Sequence, residues 1–272
     1  MKTANRQTML AILGAILCLS AQRGHKTVAR ANRIAQLLRQ HVLSPAEAAE
    51  LAGLTSVDTY DEAAFSDTHA AFKASHNAVL VKLLKYCTQT PEDGNVFYFD
   101  GPGGGTTTAL RNAGVDRSRL YTANWHDTTC DRLRAPPHNL LDEHVVAARA
   151  EAALSSPQLQ RVPFSALYLD GCGGAAAPLI ECIESVFNDA RCGINRPRIA
   201  IGLTLTNAEP TGRSLADREV DVNRALASAC ANAGYTMHHV SDMPQLYGVC
   251  EATLKREGGT MTSWLMCETL RR

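Results

Sequence analysis

Asn95-Val-Phe-Tyr-Phe-Asp-Gly-Pro-Gly-Gly-Gly-Thr-Thr107 decides how this chain is read, because an apolar run passes directly into a glycine loop and then into residues that can start a helix. Val96 to Phe99 are β-branched or aromatic, as a strand covered by helices requires, and Asp100 stands at the strand's end. Gly101, Gly103, Gly104 and Gly105 let the backbone turn tightly and approach a ligand with no side chain in the way, and Thr106 to Asn112 begin the helix. Such a turn aims backbone N–H groups at a bound polar group and sets one carboxylate beside them. An ordinary glycine turn at a helix start is the plainer alternative.

The glycine spacing narrows the ligand. It lacks the full dinucleotide fingerprint and has no P-loop lysine. An acid directly before the glycines repels phosphate and attracts an ammonium, so a cationic amine suits this loop better. In FYFDGPGGGTT the chain resembles the class I S-adenosylmethionine-dependent methyltransferases, whose first motif is an acid at the end of the first strand followed by a glycine-rich loop. The resemblance implies a doubly wound α/β domain with a seven-stranded, mostly parallel sheet. It also implies that Asp100, Gly101, Gly103, Gly104 and Gly105 meet the amino-acid end of S-adenosylmethionine.

Further strands alternate with helices at short spacing, as a doubly wound fold demands. Arg119 to Asn124, Ser165 to Asp170, Arg198 to Thr206, Tyr235 to Val240 and Met261 to Cys267 read as strands, with Val145 to Ala148 a weaker one. Ala175 to Ala190 and Ser214 to Ala233 show helical spacing. The last strand follows its predecessor without a strong helix between, as an antiparallel hairpin requires. Parallel sheets bind ligands outside their carboxyl ends, so Asp100, Asn124, Arg149 and Asp170 are expected along one rim.

The second strand ends in LYTANWHD, where the resembled family usually has an acid for the ribose hydroxyls. Asn124 or Asp127 can serve that role by hydrogen bonding, and Trp125 offers a face for adenine, with core packing as its alternative. Asp170, in LYLDGCGG, is the catalytic candidate: it stands at the fourth strand's tip, where it orients an acceptor or acts as a base. Cys172 is the thiol best placed for reactivity, against the usual small apolar cysteine. Asn207 and Glu209 follow the fifth strand without completing a hard-cation set, so no metal is assigned.

The nine cysteines form no Cys-x-x-Cys pair, and their scatter favours reduced core thiols and an intracellular compartment. Length and apolar content suit one large domain with an appendage. The division is a helical region over 1–90, and a Rossmann-like domain of methyltransferase type over 91–272. Twenty-seven basic and 27 acidic residues cancel, but no acid precedes Glu47, whereas Lys2, Arg6, Arg23, Lys26, Arg30, Arg33 and Arg39 do. No uniform basic surface therefore advertises nucleic acid.

Met9 to Leu19 has the length of a signal-peptide core and is too short for a stable membrane span. A targeting segment within residues 1–25, an organelle transit peptide and a packed helical subdomain remain open for this start. Ser44, Pro45, Glu47 and Gly53 bound a helix, and the Thr55-Ser56 restart after it resembles a helix-turn-helix. Asp58, Asp61 and Glu62 in the following segment repel phosphates, which favours a lid or packing role. Ala71 to Tyr86 reads as the helix covering the first strand, with His76 and Asn77 placed either to close over a cofactor or to face solvent. The function that follows is methyl transfer from S-adenosylmethionine to an oxygen or nitrogen acceptor. A catalytically inactive binding or scaffold protein of the same fold is the alternative, and a nicotinamide oxidoreductase a weaker third.

Overall fold

The computed structural model describes residues 67–88, 94–170, 176–187, 196–206, 214–246 and 260–269, all of which belong to one of the chain's two compact units. The readings placed on residues 1–66, on Cys172 and on Asn207 and Glu209 lie outside them.

Strand β1 (Asn95–Tyr98) has parallel neighbours on both sides, β2 (Leu120–Asn124) and β4 (Phe164–Leu169), and β3 (Val145–Ala147) lies beyond β2. On the other side β4 pairs in parallel with β5 (Arg198–Thr206). β7 (Thr260–Thr269) runs antiparallel between β5 and the edge strand β6 (Tyr235–His239). The order is β3-β2-β1-β4-β5-β7-β6. This is the doubly wound, seven-stranded, mostly parallel α/β sheet that the sequence reading expects. Because the chain runs outward from β1 to β3 and then returns beside β1, the winding reverses between β1 and β4. A crevice opens at such a switch point, outside the strands' carboxyl ends.

Side chains alternate between two cores with the period of a strand. Phe97, Leu167, Leu169, Ile201, Leu203 and Leu265 face one of them. That core includes buried residues of α4 (Ala150–Ser155), α5 (Ala176–Val186) and α6 (Leu215–Asn232). Val96, Tyr98, Ala166, Tyr168, Trp264 and Met266 face the other, shared with α1 (Asp67–Cys87), α2 (Gly105–Asn112) and α3 (Asp127–Arg134). Apolar contributions from both sides explain why the central strands read as continuous hydrophobic runs.

Several elements differ from the sequence reading. Helix α1 is placed farther across the sheet than expected, packing on β4 and β5 and against α2, because His76 and Cys87 reach Trp264 and Met266 of β7. Helices α3 and α4 fill the connections on either side of β3. Each is short and buries only two or three residues, among them Leu133 and Leu154. His238 and His239 lie on edge strand β6, exposed and half-buried. None of the described helices is long and apolar enough to cross a membrane.

Candidate functional site

Asp100 follows β1 and turns back into the loop. It is 8 % exposed, and its Oδ1 accepts from the backbone N–H groups of Gly101 (3.1 Å) and Thr106 (3.4 Å). Its Oδ2 accepts from the Thr107 N–H and hydroxyl, both at 2.8 Å. One carboxylate therefore caps α2 from outside the helix and fixes the shape of the glycine turn. Burial pushes its pKa above the ordinary carboxylate value, with the Thr107 and Thr106 donors and the Lys73 charge pulling the other way.

The glycines divide by what surrounds them. A Cβ on Gly103 or Gly105 would meet nothing within 4 Å, so this side of the loop is an open cradle. Gly104 has φ +57°, and a Cβ there would collide with the His138 imidazole. Position 104 is therefore restricted by backbone and by packing together.

At the tip of β2, Asn124 Nδ2 donates to the Asp100 carbonyl at 3.0 Å, and Asn124 Oδ1 accepts from the His126 N–H at 2.9 Å. The side chain thus ties two strand ends together and turns the chain into α3. Trp125 is 56 % exposed, with the Arg149 guanidinium carbon 6.0 Å from its ring centroid. The pair forms an exposed aromatic and cationic platform at the tips of β2 and β3. Asp127, also exposed, opens the first turn of α3.

Asp170 follows β4 across the switch point from Asp100. Its Oδ2 lies 3.3 Å from Lys73 Nζ of α1, a residue no sequence motif singles out. His76, one helical turn from Lys73, is fully buried, and its Nδ1 accepts from Trp264 Nε1 at 3.2 Å. Burial holds its pKa down at about 4 against the opposing charge of Asp170, so the imidazole is neutral at physiological pH. His76 Nε2 and the Oδ1 of buried Asn77 have no hydrogen-bond partner among the described residues. Neither residue is solvated surface.

The structure thus brings Asp100, the loop 101–105, Asn124 and Asp170 to one rim, with Trp125 and Asp127 outward along it, and it adds Lys73 from α1, with His76 one turn further along the helix against Tyr168 and Trp264. Among the described residues no group of three or more His, Cys, Asp or Glu side chains is arranged to hold a metal ion.

No protein-family model matches the sequence, and no curated protein matches it significantly. Solved structures similar to it include a putative methyltransferase, yhhF, from Escherichia coli, at 13 % identity and TM-score 0.43, covering 71 % of this chain and 86 % of that one. The O-methyltransferase TomG from Streptomyces achromogenes, solved with SAM, is 15 % identical at TM-score 0.44, covering 82 % and 95 %. TrmN from Thermus thermophilus is 15 % identical at TM-score 0.44, covering 73 % and 52 %. Residue roles rest on the geometry of the site, since likenesses this distant assign none.

Proposed function

We propose that this protein is an S-adenosylmethionine-dependent methyltransferase acting on an oxygen or nitrogen acceptor. The observation that carries this reading is an open glycine cradle capped by the buried Asp100 carboxylate at the sheet's switch point. The residues present fit the cofactor. Gly103 and Gly105 leave room for its amino-acid end, and their two N–H groups and the nearby Asp100 carboxylate suit that end's charged groups, the Gly101 and Gly104 N–H groups being used within the turn.

In this reading the exposed Trp125, with Arg149 beside it, stacks on adenine, and Asp127 in the next helix's first turn is the acid that takes the ribose hydroxyls. S-adenosylmethionine, when bound, supplies a methyl group on a positively charged sulfur. Asp170 would orient the acceptor and take its proton as the acceptor's lone pair bonds the methyl carbon and the carbon–sulfur pair goes to sulfur, which would leave as a neutral thioether, with the Lys73 ammonium 3.3 Å away holding the carboxylate in place. Placement of two reactants in the crevice supplies most of the acceleration.

A second reading keeps the fold without the reaction, as a binding or scaffold protein. It is favoured by Asn124, whose Nδ2 and Oδ1 are already engaged, leaving the tip of β2 poorer in ribose partners. Calorimetry separates the two. The methyltransferase reading expects micromolar affinity for S-adenosylmethionine, roughly −8 kcal/mol. Absence of heat with this cofactor, or heat with NAD(H) instead, sinks it.

A further inference from the structure

His76 carries a donor that the reaction above does not use. The indole Nε1–H of Trp264 can only donate, so the imidazole nitrogen facing it must accept, and the proton of the neutral ring sits on the other nitrogen. The fold takes trouble over this arrangement. Trp264 lies opposite Gly202 of β5, where any Cβ would stand 2.4 Å from the indole ring, and it stacks on Tyr168 at 5.2 Å between centroids. His76 is therefore held by an indole that itself has a single place to lie.

The consequence is a fully buried Nε2–H with no partner among the described residues, an arrangement folded proteins rarely keep. The two nitrogens of an imidazole point apart. The imidazole stacks over Tyr168 of β4 at 6.4 Å between ring centroids, two residues before Asp170 and one helical turn from the Lys73 that meets it, so the ring sits beside the β4 tip that borders the switch point.

We propose that His76 Nε2–H is a ligand-binding donor in the switch-point crevice and that the group it takes is an oxygen acceptor, a carboxylate or a phenol-type oxygen. The inference rests on the crevice being the ligand site of the function proposed above. Two sources present that chemistry: the carboxylate of the cofactor's amino-acid end, and an oxygen of the methyl acceptor. An ammonium has no lone pair for this donor and is excluded from the position.

The test uses the full chain labelled with ¹⁵N, its imidazole resonances assigned with His76→Gln. His76 is expected as the Nε2–H tautomer in the free protein. S-adenosylhomocysteine, which has the carboxylate, 5′-methylthioadenosine, which lacks it, and benzoate and phenol are then added separately. A downfield shift of His76 Hε2 with S-adenosylhomocysteine and not with 5′-methylthioadenosine supports the cofactor carboxylate as the partner. A shift with benzoate or phenol in the presence of 5′-methylthioadenosine supports the acceptor oxygen. His76→Phe, which has no donor, is expected to weaken the responding probe at least tenfold, and His76→Gln, which keeps an N–H, by less.

If S-adenosylhomocysteine binds with measurable heat and none of the probes moves His76 Hε2, the proposal is wrong. If S-adenosylhomocysteine gives no heat, the methyltransferase reading fails, and benzoate and phenol still decide the role of His76: a shift supports it and no shift overturns it. Trp264→Phe keeps the imidazole while removing its tautomer constraint. Loss of the single Nε2–H tautomer there supports the assignment, and its persistence overturns it.

Discussion

Lys73 Nζ stands 3.3 Å from Asp170 Oδ2, joining the helix that enters the domain to the strand tip across the mouth of the switch-point crevice. The lysine side chain is 38 % exposed, so solvent screens the pair, and such a contact contributes under about 1 kcal/mol to stability. Lys73→Met is therefore expected to lower Tm by no more than about 4 °C. Calorimetric melting checks this, and a fall several times larger would make the pair a structural tie.

Asp170 is expected to matter to turnover far more than to folding. Asp170→Asn keeps the shape and removes the proton acceptor, which predicts a loss of about 10²- to 10⁴-fold in methyl transfer. Affinity for S-adenosylmethionine should stay within about threefold, since uniform binding is untouched. Transfer of a labelled methyl group and calorimetry on the same preparation supply the two numbers. Equal rates for variant and parent remove Asp170 from the reaction.

Much of this crevice is legible in the sequence, and the exceptions have physical reasons. β1, β4 and β5 can be read directly because they are apolar toward both faces and end in glycine, acid or polar residues. α3 and α4 escape because Cys130 and Leu133, or Ala153 and Leu154, are too few to set a helical period against polar neighbours. Lys73 carries no motif at all, since a lysine on a helix looks like solvated surface until the fold sets Asp170 beside it. Nor can His76 be placed from sequence, because the indole that binds it lies 188 residues away.

Two buried groups are expected to bend the pH profile of stability in opposite directions. His76 is held at about 4 when folded and titrates near 6.5 when unfolded. As the pH falls from 6.5 toward 4 the unfolded chain takes a proton that the folded chain refuses, so stability is lost on the acid side. Asp100 is raised above 3.8, so here the folded chain binds its proton more tightly, and stability present at low pH is lost as the pH rises through the raised value. His76→Phe should flatten the acid-side loss without abolishing it, because buried His144 is also lowered. Asp100→Asn should remove the opposing slope. Urea unfolding from pH 4 to 8 measures both, and an unchanged slope between 6.5 and 4 in His76→Phe contradicts the first.

Gly202 and Gly104 are expected to resist alanine for different reasons. At Gly202 an added methyl meets the Trp264 ring at 2.4 Å, and that indole is stacked on Tyr168. Overpacking of this kind costs about 1–3 kcal/mol, or roughly 3–10 °C in Tm for a domain of this size. At Gly104 the positive φ adds to the contact with His138. Gly104→Ala combined with His138→Ala should recover only part of the loss, because the backbone strain remains. Full recovery in the double variant would assign the whole cost to the imidazole.

Thiol chemistry gives the last expectation. Cys87, Cys130, Cys182, Cys230 and Cys267 are all buried and unbridged. Burial lifts Cys87 and Cys182 to about 12 and Cys130 and Cys267 upward as well, so the reactive thiolate is scarce at neutral pH and no reagent reaches it. Cys230 and Cys267 also face each other, their sulfurs 2.7 Å apart between α6 and β7, so labelling either requires those elements to separate. At these five positions a maleimide should therefore react at the rate of unfolding, rising with added urea in step with it. Peptide mapping after timed quenching separates these sites from the rest of the cysteines. Fast labelling of Cys87 or Cys182 in the folded protein would mean that α1 or α5 opens locally, well below the global barrier.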